Sequence, residues 1–377
     1  MTKTTPPKIL FVMMGELGHV TFAARLKEFI EADSRIESSW LYIRPVSEAK
    51  YFWEKTSSWL PLPIAYSLFV RRRLRELLKK QKDFDAYFIH TYDLGLFLPK
   101  LVKKKTFVLS LDSTSRLTRA FAASNLQNIV RTQIRRFYRI VSDYLERKAL
   151  KKADLIVSWS KWAAQSLIDD YKVPQEKIII VPPALAKKDA SYTLRTKEST
   201  GKLRLLFVGG DLKRKGIDIL IALMNEGLEN VCELDIVTKD KIEITSESIR
   251  LHYGLKYDSP ELINLFAAVD VFILPTTMDM LAIVLIEACA AGLPSISTNI
   301  AAIPEVVEDG RSGFLIAPQD KTALKIAIER FVSDRNLCRT MGTHARAIYE
   351  QRFTAEEHFP KLIEAIYRQI EKNDKSK

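Results

Sequence analysis

Apolar residues fall in short blocks along this chain, and the blocks alternate with stretches of three-to-four-residue periodicity. "KILFVMM" (8–14) is apolar after its first residue, and "TFAARLKEFIEA" (21–32) has a helical pattern. Further strand-like blocks lie at 38–45, 86–92, 106–112, 153–160 and 177–183. A second series opens with "LRLLFVGG" (203–210) and a helical pattern at 216–226. It continues with strand-like blocks at 233–239, 249–254, 270–276, 293–299 and 312–318. Strands that are apolar throughout and alternate with helices predict parallel sheets covered on both faces. Two such series predict an α/β chain of two doubly wound, Rossmann-like domains, at 1–183 and 203–353. The stretch 184–202 between them is polar, rich in Lys, Ser and Thr, and lacks periodicity, so a linker is expected there. Helical patterns at 320–350 and 354–373 close the chain.

The bulk numbers narrow the class. The chain has 377 residues, 47% hydrophobic and 28% charged, the profile of a soluble globular protein. No apolar run reaches the roughly 18 residues of a membrane span, and the nearest, "WLPLPIAYSLFV" (59–70), carries two prolines. The first residues read as a lead into a buried strand rather than a signal peptide. Cys232, Cys289 and Cys338 lie far apart, so neither a disulfide framework nor a zinc site is expected, and a reducing cytoplasm is the default location. Net charge is +12, unevenly spread: residues 1–190 hold 34 Lys/Arg against 19 Asp/Glu, a net of +15, and the remainder 24 against 27. Such asymmetry points to an anionic partner for the first half.

Ligands of doubly wound sheets bind beyond the carboxyl ends of the strands, so the strand-end loops carry the candidate chemistry. In "FVGGDLKRKGIDIL" (207–220), Gly209 and Gly210 allow close backbone approach and Gly216 opens a helix. That helix start, with Arg214 and Lys215, suits a diphosphate; the bland alternative is a solvated basic turn. In "LPTTMDMLAIVLIEACAAGLP" (274–294), a helix is expected from about Leu281 to Ala291, stopped by Gly292. It is apolar all round except at Glu287, so it is expected to be buried. A buried carboxylate needs donors, either a cation or the hydroxyls of a sugar or ribose. Asp279 stands in the loop before it, and backbone N–H groups at the helix start, around Met280, Leu281, Ala282 and Ile283, are free to meet a phosphate or sugar.

The first domain offers weaker signals. Gly15 and Gly18 of "GELGH" permit close approach to a ligand but do not form GxGxxG, so a nicotinamide cofactor is not supported. His19 and His90 are each readable as chemical or as packing histidines. Asp112, at the end of "FVLSLD", could orient a hydroxyl or act as a base, or could cap the next helix. Two basic, aromatic helical segments, 51–82 with Trp53, Trp59, Arg71, Arg72, Arg73, Arg75, Lys79, Lys80 and Lys82, and 131–152, fit an anionic membrane surface or a solvated core helix. No nucleic-acid recognition motif is present, and nucleic acid is not expected as a partner.

The 207–220 segment, followed by "ELINLFAAVDVFILPTTMDMLAIVLIEACAAGLPSISTNIAAIPEVVEDGRSGFLI" (261–316), resembles the retaining glycosyltransferases of family four. The stretch "ADLIVSWSKWAAQSLIDDYKVPQEKIIIVPP" (153–183) is similar to that family's segment before the interdomain hinge. The resemblance implies the GT-B fold, two domains facing each other across a cleft, with the last helix (354–377) crossing back to the first domain. It implies a nucleotide diphosphate sugar as donor, no metal or other cofactor, and transfer with retention, hexosyltransferase-type, to a glycan, lipid-linked or other anionic acceptor. Lys215 falls on the family's diphosphate-binding lysine. Asp279 and Glu287 have the spacing of its paired glutamates, with Glu287 at the ribose and Asp279 at the transferred sugar. The chain departs from the family at Gly210, where an arginine is common. It departs again at Met280-Leu281-Ala282, where Gly-Phe-Gly is usual, and at Ala301-Ala302, in place of Gly-Gly. Asp112 stands where many relatives place a histidine against the donor sugar. These departures keep open an alternative, a non-catalytic GT-B-fold protein that binds a sugar or a partner.

Overall fold

The computed structural model describes residues 5–15, 17–43, 62–80, 83–102, 105–124, 132–186, 201–257 and 259–375, with the side chains of 17, 62–63, 121–124 and 132–139 outside the description. The tryptophan-bearing stretch 51–61, Lys82, and 187–200 of the expected linker also lie outside the described residues. The chain divides into two compact units, residues 1–183 with 357–377, and residues 184–356.

Unit 1 carries β1 (Lys8–Met14), β2 (Glu37–Ile43), β3 (Ala86–His90), β4 (Thr106–Leu111), β5 (Leu155–Ser158) and β6 (Ile178–Ile180). They form one sheet in the order β2-β1-β3-β4-β5-β6, with every pairing parallel. Its described helices are α1 (Leu17–Glu31), α2 (Leu62–Lys80), α3 (Tyr92–Gly95), α4 (Ser115–Ser124), α5 (Thr132–Lys152) and α6 (Lys161–Asp169). Residues 9–13 of β1 are wholly buried, as a central parallel strand requires. Ala65, Tyr66, Val70 and Leu74 of α2 join Leu10, Val12 and Ile89 in the core, which turns Arg72 and Arg73 outward.

Unit 2 repeats the plan with β7 (Leu203–Val208), β8 (Cys232–Thr238), β9 (Ile249–Tyr253), β10 (Val271–Leu274), β11 (Ser295–Thr298) and β12 (Gly313–Ile316), in the order β12-β11-β10-β7-β8-β9. Its described helices are α7 (Ile217–Asn225), α8 (Pro260–Ala268), α9 (Ile283–Ala290), α10 (Lys321–Ser333) and α11 (Asn336–Arg352). The last helix, α12 (Ala355–Lys375), belongs to unit 1 from residue 357 onward. It buries Phe359, Leu362, Ile363, Ile366 and Ile370, a helical stripe, and sets Phe359 edge-on against Phe29 of α1.

Both units are thus doubly wound parallel sheets, as the hydrophobic pattern predicts. The ladders are shorter than the apolar blocks. β10 stops at Leu274 although Pro275 and Thr276 remain buried, and β6 stops before Pro182-Pro183, which have no N–H to donate. Apolar composition marks burial, and burial continues past the last ladder bond. α9 likewise spans Ile283–Ala290 rather than 281–291, and Gly292 follows it at φ 67°.

One charged group lies inside the second sheet. Asp235 of β8 is 1% exposed, and Arg204 Nη2 (3.0 Å), Arg250 Nε (3.1 Å) and His252 Nε2 (2.8 Å) converge on its carboxylate from the two flanking strands. Burial pushes Asp235 up, but hydrogen bonds from Arg250 and His252 and the Arg250 charge outweigh it and hold the acid below its ordinary range. Its contribution to stability is therefore present above the unfolded-state pKa of about 4 and lost as pH falls through the lower folded value. Asp235→Ala should cost about 2 kcal/mol, since the stranded cations are partly hydrated. All five tryptophans lie at or before residue 162, in unit 1, so urea unfolding of unit 2 should be followed by circular dichroism. The gap between variant and native chain is expected at pH 7 and should narrow as pH falls below about 4; a gap that does not narrow would refute the assignment.

Candidate functional site

In unit 2 the strand order reverses at β7: β8 and β9 lie on one side, β10 to β12 on the other. The loops after β7 and β10 therefore flank the topological switch point, where open parallel sheets bind ligands. Gly216 lets these loops touch. It lies at φ 75°, and a Cβ there would stand 2.1 Å from the carbonyl oxygen of Pro275. Arg214 joins the loops. Its carbonyl accepts Thr277 N (2.8 Å) and the Thr276 and Thr277 hydroxyls (3.2 and 3.0 Å). Its guanidinium donates to Asp211 Oδ2 (2.7 Å), the Met278 carbonyl (2.5 Å) and Asp279 Oδ1 (3.4 Å). Lys215 Nζ sits 2.8 Å from Asp279 Oδ2, with both side chains largely buried. Asp279 is thus shared by two cations.

The same loop leads into α9. Ala282 caps the helix without a side-chain bond, and within the first turn Leu285 N donates to the Ala282 carbonyl at 3.0 Å. Leu281, Ala282 and Ile283 are buried, Met280 is half-buried, and the Met280 carbonyl accepts Ala302 N at 3.0 Å. Ala301 lies at φ 48°, a left-handed conformation that costs a non-glycine residue about 1–2 kcal/mol. Glu287 lies farther along α9 and is 6% exposed. Two strand-end loops thus assemble Gly209, Gly210, Arg214, Lys215, Asp279 and residues 280–283 at one switch point. Gly15, Gly18 and Asp112 belong to unit 1.

Unit 1 has its own switch point, between β1 and β3. Gly15, following β1, donates its N–H to the Ile43 carbonyl at 2.8 Å, and Gly18 is exposed. His19 Nδ1 lies 3.0 Å from His90 Nε2 at the end of β3, and His90 Nδ1 lies 3.1 Å from Ser110 Oγ. His90 is fully buried and stacks on Trp159, and burial, then the nearby His19, pushes its pKa far down, so its imidazole is neutral. Thr91 follows at φ 80°, with a buried hydroxyl that has no hydrogen-bond partner among the described residues.

Beyond β4, Asp112 is half-buried and receives the Ser113 hydroxyl at 3.4 Å. It does not cap α4. That helix start is held by Thr114 Oγ1, which accepts Leu117 N (3.4 Å), and by Glu146 of α5, which accepts Ser115 N (3.0 Å), the Ser115 hydroxyl and the Tyr171 hydroxyl (2.6 Å). Asp112 therefore remains available at the strand end. Asp93 lies near it with a buried, unpartnered Oδ1. Burial pushes its pKa up to about 7, and the charges of Glu146 and Asp112 add to the effect. Glu146 had no sequence signal, being one acid in a basic helix, and Asp93 had only its place after a strand.

Asp93 binds its proton more tightly folded than unfolded, so it lowers stability as pH rises from about 4 to 7, and the penalty is complete above about 7. Asp93→Asn removes that penalty. It should stabilise unit 1 by roughly 1–3 kcal/mol at pH 8 and by much less at pH 4.5. Urea titrations read by tryptophan fluorescence check this, and a variant less stable than the native chain at pH 8 would contradict it.

Comparison with known proteins follows the same division. Residues 194–348 match the model "Glycosyl transferases group 1", and residues 44–186 match "Glycosyltransferase Family 4". An uncharacterized 41.2 kDa protein in the cps region of Klebsiella pneumoniae is 26% identical over 263 residues, which is 64% of this chain and 67% of that protein. Other curated relatives are matched over 40% to 73% of their own length. Sucrose-phosphate synthase from Thermosynechococcus elongatus superposes with a TM-score of 0.72 at 17% identity, covering 97% of this chain and 99% of that one. Anabaena HepE in complex with UDP and glucose gives 0.65 at 15% identity, covering 96% and 99%. Two adjoining family matches, one on each doubly wound unit, together with these full-length fold matches, place the chain among the GT-B-fold glycosyltransferases, related to glycosyl transferases group 1 and glycosyltransferase family 4.

Proposed function

We propose that this chain transfers a hexosyl group from a nucleotide diphosphate sugar to an anionic, glycan or lipid-linked acceptor, with retention of anomeric configuration. The observation that carries the reading is the ion cluster of Arg214, Lys215 and Asp279 at the unit 2 switch point, one loop before buried Glu287. In this reading Glu287 takes the ribose hydroxyls. Lys215, the backbone of Gly209-Gly210 and the starts of α7 and α9 take the diphosphate. Asp279 takes a hydroxyl of the transferred sugar. Its carboxylate is bound to Lys215 at 2.8 Å, so an entering phosphate must share the ammonium with it.

The departing diphosphate gains negative charge in the transition state. Lys215 and the helix starts oppose that charge, and this lowers the barrier. A phosphate oxygen of the leaving group takes the acceptor's proton as the new glycosidic bond forms on the same face. Asp112 is assigned to orient a hydroxyl. HepE, of the same fold, binds UDP and glucose, which supports a nucleotide donor here.

The acceptor is assigned to unit 1 on the strength of its charge. α2 presents Arg72, Arg73, Arg75, Lys79 and Lys80 outward beside Leu68, and Ile140 and Tyr144 of α5 are 60% and 63% exposed. No described helix is long and apolar enough to cross a membrane. Such a surface fits peripheral contact with anionic headgroups on the cytoplasmic side, where a lipid-linked acceptor lies.

The non-catalytic alternative rests on Met280-Leu281-Ala282, whose larger side chains stand where glycines would leave room. Titration with nucleoside diphosphates separates much of this. Lys215→Ala should weaken binding by about 10- to 100-fold, the range of a charge-assisted hydrogen bond, and Glu287→Ala should also weaken it. Donor hydrolysis, with the product anomer read by NMR, tests catalysis and retention together. If no nucleoside diphosphate binds and neither substitution matters, the enzyme reading is wrong. Vesicles of phosphatidylglycerol should sediment the protein at low salt and release it as salt rises, while neutral vesicles should not. Protein left in the supernatant with anionic vesicles would remove the membrane surface from the proposal.

A further inference from the structure

The turn after β7 is close to electrically neutral once its internal pairs are counted. Arg214 is bound to Asp211 and Asp279, and Lys215 to Asp279. Asp240 accepts the Asp211 N–H at 2.8 Å, so a third carboxylate faces the loop. Against Asp211, Asp240 and Asp279 stand Arg214, Lys215 and the exposed Lys213. A diphosphate would meet three cations and three anions, with little net attraction.

A further cation lies beside this turn. Lys239 follows β8, the strand next to β7, and its stem passes over Gly210. A Cβ built on Gly210 would stand 3.1 Å from Lys239 Cε, 3.7 Å from Cγ and 3.9 Å from Cδ. The aliphatic stem therefore fills the space that a side chain at 210 would occupy. Lys239 is exposed, and its ammonium makes no ion pair or hydrogen bond among the described residues.

We propose that Lys239 is the second phosphate-binding cation of this site, supplied from β8 across Gly210, while Arg214 serves to hold the two loops together. The geometry follows from the parallel sheet. β7 and β8 end side by side, so a residue just past β8 can lie over the loop just past β7. Gly210 is what lets the lysine stem approach the backbone there. A lysine ammonium acts as a point charge on a flexible stem, suited to following a diphosphate as it binds and leaves.

The inference rests on the nucleotide-donor reading, and the test separates the two. UDP, GDP and ADP, their monophosphates and inorganic pyrophosphate are titrated by calorimetry into the native chain, Lys239→Ala, Lys239→Arg, Lys213→Ala and Lys215→Ala. Lys239→Ala should weaken the preferred diphosphate about tenfold, equivalent to about 1.4 kcal/mol, and its monophosphate much less. Lys239→Arg should retain most of the affinity, and Lys213→Ala should change it less than about twofold. Adding Gly210→Arg to Lys239→Ala should restore binding, because it returns a cation to the same space. Diphosphate affinity unchanged in Lys239→Ala while Lys215→Ala loses it would overturn this inference and leave the donor reading standing. Equal losses in Lys213→Ala and Lys239→Ala would overturn it too, by reducing the effect to general charge. No diphosphate binding to the native chain would overturn the donor reading itself.

Discussion

A parallel strand cannot pair with the one before it unless the chain crosses over the sheet, and in each unit the direction of crossing reverses once. That reversal leaves two neighbouring strands whose crossovers run off in opposite directions along the sheet. In unit 1 the pair is β1 and β3, and in unit 2 it is β7 and β10. The chemistry-bearing side chains gather at these two points. Lys215 and Asp279 lie 64 positions apart in the chain, yet their charged atoms meet at 2.8 Å. His19 and His90 are 71 apart and meet at 3.0 Å.

Buried acids receive opposite treatment at the two places. Asp235 and Asp279 are matched by cations, and Asp235 is held below its ordinary range. Glu146 is met chiefly by hydroxyl and amide donors, and burial still raises it. Asp93 has a buried oxygen with no donor among the described residues, and burial with the charges of Glu146 and Asp112 pushes its pKa up to about 7. The difference is one of neighbours rather than depth. A cation in contact repays desolvation that neutral donors repay only in part. Unit 1 thus combines a strongly basic surface with a carboxyl group beside the strand ends whose pKa is pushed up to about 7.

The strands were legible because a central parallel strand must be apolar on both faces, a demand that "KILFVMM" and "LRLLFVGG" state openly. Glu287 was legible because it is the one charged residue of an otherwise apolar helix. Three things were less accessible. Ladder ends depend on pairing partners, so Pro275 and Thr276 were counted with β10 although they only share its burial. The role of Asp112 at α4 was undecided until Glu146, 31 positions beyond Ser115, proved to hold that helix start. The duty of Arg214 was hidden because its guanidinium is directed to Met278 and Asp279 in another loop.

Local sequence alone determined the two doubly wound units, the glycine-rich turn with its basic residues, and the acid pair at 279 and 287. These depend on periodicity, on backbone freedom and on short spacing, all of which are written along the chain. Tertiary structure alone decided which cation meets which carboxylate, that buried His90 meets His19, and that the stem of Lys239 covers Gly210. Those outcomes depend on strands from distant parts of the chain ending side by side. Electrostatic energy follows distance in space, and the order of residues in the sequence does not encode it.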